Sequence, residues 1–222
     1  MTTAIEYALM AGHAYRTTRD KINWLPAPQG WAPFFPVPDP TTPGFPTTHG
    51  FEAVSFTKGT DIVISYAGTD EDSLGDIAAD FNLLIGIGSK QLLQAAKYYL
   101  QVKATNPAAN ITFTGHSLGG GLAALMGAFF NEGAFTFDQV PFRNSASSPF
   151  RNSANSLVAN DLLVKLKLAF PVRDYPQIAS WLAPLEGFAQ AGLAAREGNV
   201  ININVQGEFL SVPPATLDRR AA

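Results

Sequence analysis

Gly115-His116-Ser117-Leu118-Gly119-Gly120 is the stretch of this 222-residue chain whose residue types and spacing could do chemistry. A short β-branched run, Ile111 to Thr114, precedes it, and an apolar stretch to about Phe130 follows. A G-x-S-x-G sequence between a strand and a helix forces a sharp reversal that lifts the serine hydroxyl above the sheet. Gly115 and Gly119 are then required, because side chains there would collide with neighbouring backbone. The helix N-terminus behind Ser117 favours developing negative charge. The chemistry is nucleophilic attack on an acyl carbonyl. The plain alternative is a glycine-rich turn capped by a serine.

Acyl transfer also needs two donors aimed at the tetrahedral oxyanion. One is the backbone N–H of Leu118, the residue after the nucleophile. Tyr66-Ala67-Gly68-Thr69-Asp70, at the end of a β-branched run, offers the second as the backbone N–H of Thr69. Alone, that segment would read as an ordinary strand-end turn.

These groups must be carried by a sheet. Ile62 to Tyr66 reads as a fully buried strand. Phe51 to Phe56 alternates apolar and polar residues, as a half-buried strand does, and the two form a hairpin across Lys58-Gly59-Thr60-Asp61. A helix is expected from Ser89 to about Asn106, strands at Ile111 to Thr114 and Ala134 to Phe137, and a last strand from Val200 to Val205. Strand–helix–strand alternation at this spacing predicts a parallel sheet covered on both faces. Thr3 to Tyr15 reads as a short amphipathic helix with a threonine N-cap. Asn23 to Pro46 holds half of the chain's 16 prolines. That density excludes helix and central strand, while Trp24, Trp31, Phe34 and Phe35 suggest an ordered wrap over the core.

Composition bounds the rest. Apolar residues make up 46% of the chain, enough for a sizeable core, and the net charge of −3 suits no polyanion, so nucleic acid is not an expected partner. Charged residues are 15%, against about 25% in an ordinary domain, which implies a neutral, partly apolar surface. Cysteine is absent, so there is neither a disulfide framework nor a thiolate metal site. The first residues make a poor Sec signal, and no apolar run approaches the length of a membrane span.

On these residues the chain resembles the class 3 lipases and their bacterial phospholipase A1-like relatives. Gly68-Thr69 after a buried strand, with Gly-His-Ser-Leu-Gly-Gly some fifty residues later, carries the likeness. Ala8-Leu9-Met10-Ala11-Gly12, Thr136-Phe137-Asp138-Gln139 and Val205-Gln206-Gly207-Glu208 are similar to the bacterial branch. The resemblance implies an α/β-hydrolase fold, with a mostly parallel central sheet and helices on both faces. It implies hydrolysis of lipid acyl esters by Ser117, with no metal or organic cofactor and at most transient contact with a membrane or lipid interface. Secreted bacterial relatives are often exported through a C-terminal signal, so the expected location is outside the cell without a Sec leader, or the cytoplasm.

One part of the pattern is missing. The triad of this fold runs serine, acid, histidine, and the chain's histidines are His13, His49 and His116, none of which follows Ser117. His116 belongs to the turn and points away from the hydroxyl, His13 reads as a packed residue, and His49 lies in the proline-rich loop. The expectation is a missing C-terminal portion that carries the histidine, with a fragment of the same protein as its source. The rival is a lipid-binding pseudoenzyme. A feruloyl or acetyl esterase would share both turn and fold. The acid is Asp138 or Glu208, each at a strand end on the side of Ser117, while Asp161 and Asp174 are weaker candidates. Asp70, Asp72 and Asp76 read as a solvated helix start. The whole chain is read as one domain, with residues 141–198 as a lid-like helical insertion carrying Phe142, Phe150, Leu162, Leu163, Phe170, Trp181, Leu182, Leu185 and Phe188.

Overall fold

The computed structural model describes residues 1–15, 25–34, 51–68, 84–139, 157–191 and 196–204. In chain order the elements are α1 (Ala4–His13), β1 (Ala32–Phe34), β2 (Ala53–Lys58), β3 (Asp61–Tyr66), α2 (Leu84–Thr105), β4 (Asn110–His116), α3 (Leu118–Phe130), β5 (Gly133–Phe137), α4 (Leu157–Ala169), α5 (Ile178–Ala191) and β6 (Val200–Ile203). The six strands form one sheet in the order β1-β2-β3-β4-β5-β6. The first three are antiparallel neighbours. From β3 onward every pairing is parallel.

Alternation along β3 divides the core in two. Ile62, Ile64 and Tyr66 point to a large apolar layer shared with α2, α3, α4 and α5. Val63 points to the opposite face, where Met10, Ala14, Tyr15 and Trp31 cover it. The resulting mixed sheet with helices on both faces is the α/β-hydrolase-like arrangement that the resemblance implies.

The antiparallel hairpin forms as expected, with Lys58 opposite Asp61 and Gly59 at φ +64 in the turn. Its first strand differs from the expectation. Residues 53–56 are buried on both faces, because Ser55 is not a solvent-facing position. Its hydroxyl donates to Tyr98 Oη on α2 at 3.1 Å, so a polar residue is satisfied inside the core. Helix α2 starts at Leu84, five residues before Ser89. The proline-rich segment, where described, contributes an edge strand with Pro33, a place where the missing N–H of proline costs no ladder bond.

Helix α1 is closed by a capping box: Thr3 Oγ1 accepts from the Glu6 N–H, and Glu6 accepts from the Thr3 N–H. The other Glu6 oxygen accepts from Trp31 Nε1 at 2.9 Å and Lys58 Nζ at 3.1 Å. One carboxylate therefore ties α1 to β1 and to the β2–β3 hairpin. The Thr3 N–H, with the indole, holds its pKa down from 4.5 to about 2 against an opposing desolvation.

Within residues 141–198, Leu162, Leu182, Leu185 and Phe188 are buried in the common core, and Leu163, Phe170 and Trp181 pack partly against it. Phe129 of α3 meets Phe188 of α5 edge to face at 4.8 Å. Phe142 and Phe150 lie outside the described residues. No helix among the described residues is long and apolar enough to cross a membrane.

Candidate active site

Strand β4 ends at His116 and helix α3 starts at Leu118, so Ser117 alone makes the reversal between them. It does so at φ 56, ψ −125. A positive φ on a residue with a Cβ is strained by about 1–3 kcal/mol and persists only where the surroundings enforce it. Here the enforcing contacts are backbone ones. The Ser117 N–H donates to the Phe137 carbonyl at 3.1 Å, and the Ser117 carbonyl accepts from the Gly121 N–H at 3.0 Å.

The glycines clear space for that backbone. A Cβ on Gly115 would stand 2.4 Å from the Gly119 carbonyl. A Cβ on Gly119 would stand 2.1 Å from the Tyr66 carbonyl, the end of the neighbouring strand. No real side chain fits at either distance. The first turn of α3 therefore carries Gly119 and Gly120, where a Cβ would stand 2.1 Å from the Tyr66 carbonyl and 2.9 Å from the Gln139 Cβ, although glycine costs about 1 kcal/mol relative to alanine in a helix. Clearance outweighs propensity at this helix end.

Ser117 does not behave as a helix cap. A capping serine accepts from the N2 or N3 amide, and Ser117 makes no such bond. Its hydroxyl is buried and has no hydrogen-bond partner among the described residues, although the residue is only 2% exposed. Buried hydroxyls are nearly always satisfied, so this one departs from the rule. The reading of the turn as a serine-capped loop is excluded.

Two further expected groups gather beside it. Leu118 is the first residue of α3, where an amide has no intrahelical acceptor. The Cα of Gly68 lies alongside: a Cβ there would approach the Leu118 nitrogen to 3.5 Å. The end of β3 therefore abuts the amide expected to bind an oxyanion. Asp138 follows β5 directly, at φ 41 and 6% exposed, and its N–H donates to the Ile203 carbonyl at 2.9 Å. Since His116 pairs with Phe137 across the sheet, Ser117 and Asp138 are adjacent positions at the carboxyl edge of β4 and β5. Ser117, Leu118 and Asp138 are thus brought together. Thr69, Glu208 and His49 lie outside the described residues.

The other two histidines have other attachments. His13 is buried, with Nδ1 2.7 Å from the Leu25 carbonyl and its ring edge-on to Phe56. His116 has Nδ1 3.1 Å from Tyr15 Oη. Tyr15 was not among the residues expected at the site. It is separated from His116 by 101 positions, and no local pattern in the sequence connects the two. Among the described residues no three His, Cys, Asp or Glu side chains are grouped to hold a metal ion.

A family model described as a Tle-like phospholipase domain, of the phospholipase-like kind, matches residues 6–156. No curated protein matches the chain. Solved structures similar to it include a lipase from Rhizopus microsporus var. chinensis, at 20% identity and TM-score 0.41, over 62% of this chain and 56% of that one. A Rhizomucor miehei lipase propeptide complex is 20% identical at TM-score 0.31, over 42% and 39% of the two chains. A mutant form of MDLA from Penicillium cyclopium is 15% identical at TM-score 0.35, over 72% and 65%. The chain thus spans less than two thirds of the length of each of these three.

Proposed function

The chain belongs to the Tle-like phospholipase domain family, and from that premise we propose that it is a lipid acyl-ester hydrolase working through an acyl-enzyme on Ser117. The observation that carries the reading is the Ser117 hydroxyl, held at a strained backbone position, buried, and committed to no hydrogen bond among the described residues. Ser117 Oγ attacks the ester carbonyl carbon and the carbonyl π bond opens to an oxyanion. The amides of Leu118 and Thr69 bind that oxyanion, and removal of one such donor costs roughly 2.7–4 kcal/mol of transition-state stabilisation. As the tetrahedral adduct collapses, the alcohol leaves and takes the proton that Ser117 gave to a base. Water, deprotonated by the same base, then releases the fatty acid.

The base is a histidine supplied from outside these 222 residues, by a further segment of the same protein. Supporting this, no histidine follows Ser117, and His13 and His116 are engaged with Leu25 and Tyr15. Asp138 or Glu208 orients that histidine. The position of Asp138 beside Ser117 supports the first, and the family resemblance around Val205-Gln206-Gly207-Glu208 supports the second.

A second reading has its own support: a chain with no such histidine binds lipid without cleaving it. Intact-mass spectrometry after exposure to a fluorophosphonate separates the two. The expected result is one adduct on the wild type and none on Ser117→Ala. A second co-purifying species would identify the source of the base. With the wild type labelled, Asp138→Asn and Glu208→Gln identify the acid, because mis-orienting the histidine lowers turnover by about 10⁴-fold. An unlabelled wild type that binds phosphatidylcholine vesicles would establish the non-catalytic reading.

A further inference from the structure

We infer that Tyr15 is the positioning residue of this site: its hydroxyl holds the His116–Ser117 peptide in the strained turn and sets that turn against the end of β3. The inference rests on the reading of Ser117 as nucleophile and extends it to a residue of the first helix.

The geometry is that of a single oxygen serving several partners. Tyr15 Oη donates to the His116 carbonyl at 3.2 Å. A hydroxyl has one proton, so when that proton goes to the carbonyl the hydroxyl accepts from His116 Nδ1, 3.1 Å away, and this arrangement requires the tautomer with the proton on Nδ1. The His116 carbonyl belongs to the same peptide unit as the Ser117 N–H. That N–H donates to the Phe137 carbonyl. The peptide plane entering Ser117 is therefore gripped at both ends, by Tyr15 on its oxygen and by β5 on its nitrogen. Rotation of that plane is what would relax the positive φ of Ser117.

The same hydroxyl touches the other half of the site. A Cβ on Gly68 would stand 2.6 Å from Tyr15 Oη and 3.1 Å from the His116 carbonyl. Gly68 precedes Thr69, the expected second oxyanion donor. Tyr15 thus lies at the seam where the ends of β3 and β4 meet, buried and anchored by Met10, Val63 and Ala67 around it. Loss of the hydroxyl alone would keep the ring in that cluster while freeing the turn to relax.

Tyr15→Phe removes the grip and keeps the ring. The matched control is Tyr7→Phe on the same helix, which deletes a hydroxyl bonded to Thr112 Oγ1 at 3.1 Å, away from the turn. Displacement of a nucleophile by a fraction of an ångström predicts a maximal phosphonylation rate roughly tenfold to a hundredfold slower in Tyr15→Phe, with the half-saturating probe concentration unchanged. Tyr7→Phe should label as the wild type does. Equal labelling rates for Tyr15→Phe and wild type, with Ser117→Ala unlabelled, would overturn the inference and leave the nucleophile standing.

A second readout is independent of reactivity. In nitrogen NMR spectra of the wild type, His116 should be protonated on Nδ1. Tyr15→Phe, but not Tyr7→Phe, should shift that tautomer and the Ser117 and Leu118 amide resonances. If the wild type takes no label, the nucleophile reading fails, and these spectra still decide whether Tyr15 sets the turn. Unmoved spectra overturn the inference. So does a wild-type Tyr15 hydroxyl proton that exchanges rapidly with solvent, a test that stands even if the variant does not fold.

Discussion

Helix α3 is finished at one end and left open at the other. At its C-terminus, Asn131 takes the left-handed conformation and, with Glu132, sends its N–H to the Gly127 carbonyl. Arg196 Nη1 is shared among the carbonyls of Ala128, Phe129 and Pro184 at 2.7–3.1 Å. The carbonyls of Ala128 and Phe129 are among those a helix end leaves without partners, while that of Pro184 belongs to the interior of α5. At the N-terminus the residue best able to cap the helix declines to do so, and its hydroxyl stays buried without a partner among the described residues. The lesson is that the open end is specific. The chain satisfies one terminus of α3 and leaves the other without a side-chain cap, and on the proposed reading the second is where the serine must stay available.

The sharpest way to break that contrast is Gly119→Ala. Helix propensity alone says alanine gains about 1 kcal/mol. The 2.1 Å approach to the Tyr66 carbonyl says that backbone must move instead, for a loss of about 3 kcal/mol by urea unfolding, together with loss of probe labelling at Ser117. A stabilised, reactive variant would show that clearance is not why glycine stands there.

The opposite end gives the next effect. Arg196→Met removes a half-buried, charged donor from several carbonyls and should lower stability by about 2 kcal/mol, while labelling of Ser117 keeps its wild-type rate. A fall in labelling without unfolding would mean the two ends of α3 are coupled, and the division of labour would fail.

The smallest effect concerns the buckle at Glu6, remote from both ends. Its pKa is depressed in the folded chain, so its contribution is present above pH 4.5 and is lost as pH falls toward about 2. The group lies at the surface, its side chain 18% exposed, so solvent screening holds that contribution to about 1 kcal/mol. Glu6→Gln should flatten this part of the acid-unfolding curve and leave probe labelling at neutral pH unchanged. An acid limb as steep as that of the wild type would remove Glu6 from the account.

Much of the fold was legible because its signals are local. The β-branched run of β3 marked a strand buried on both faces, and Thr3 with Glu6 marked the start of α1. The Gly115-to-Gly120 spelling marked the strand–turn–helix junction. Where reading and structure diverged, the cause was a contact from far along the chain. Ser55 looked like a solvent-side position until Tyr98, 43 residues away, supplied its partner. The apolar residues of 157–191 do not reveal by themselves which of them are core. Their packing on α2 and α3 makes Leu162 and Phe188 buried and leaves Val164 and Leu168 exposed.

What the sequence by itself determined is the chemistry on offer: a serine between glycines, with a helix N-terminus behind it, and no histidine downstream to act as its base. Those are matters of residue identity and short spacing. What only the tertiary structure decided is that the serine is not a cap. That depends on the Phe137 carbonyl, the end of β3 and the Tyr15 hydroxyl converging on one peptide unit from different parts of the chain. A strained backbone is held by its surroundings, and surroundings assembled over 101 residues of separation leave no trace in local pattern.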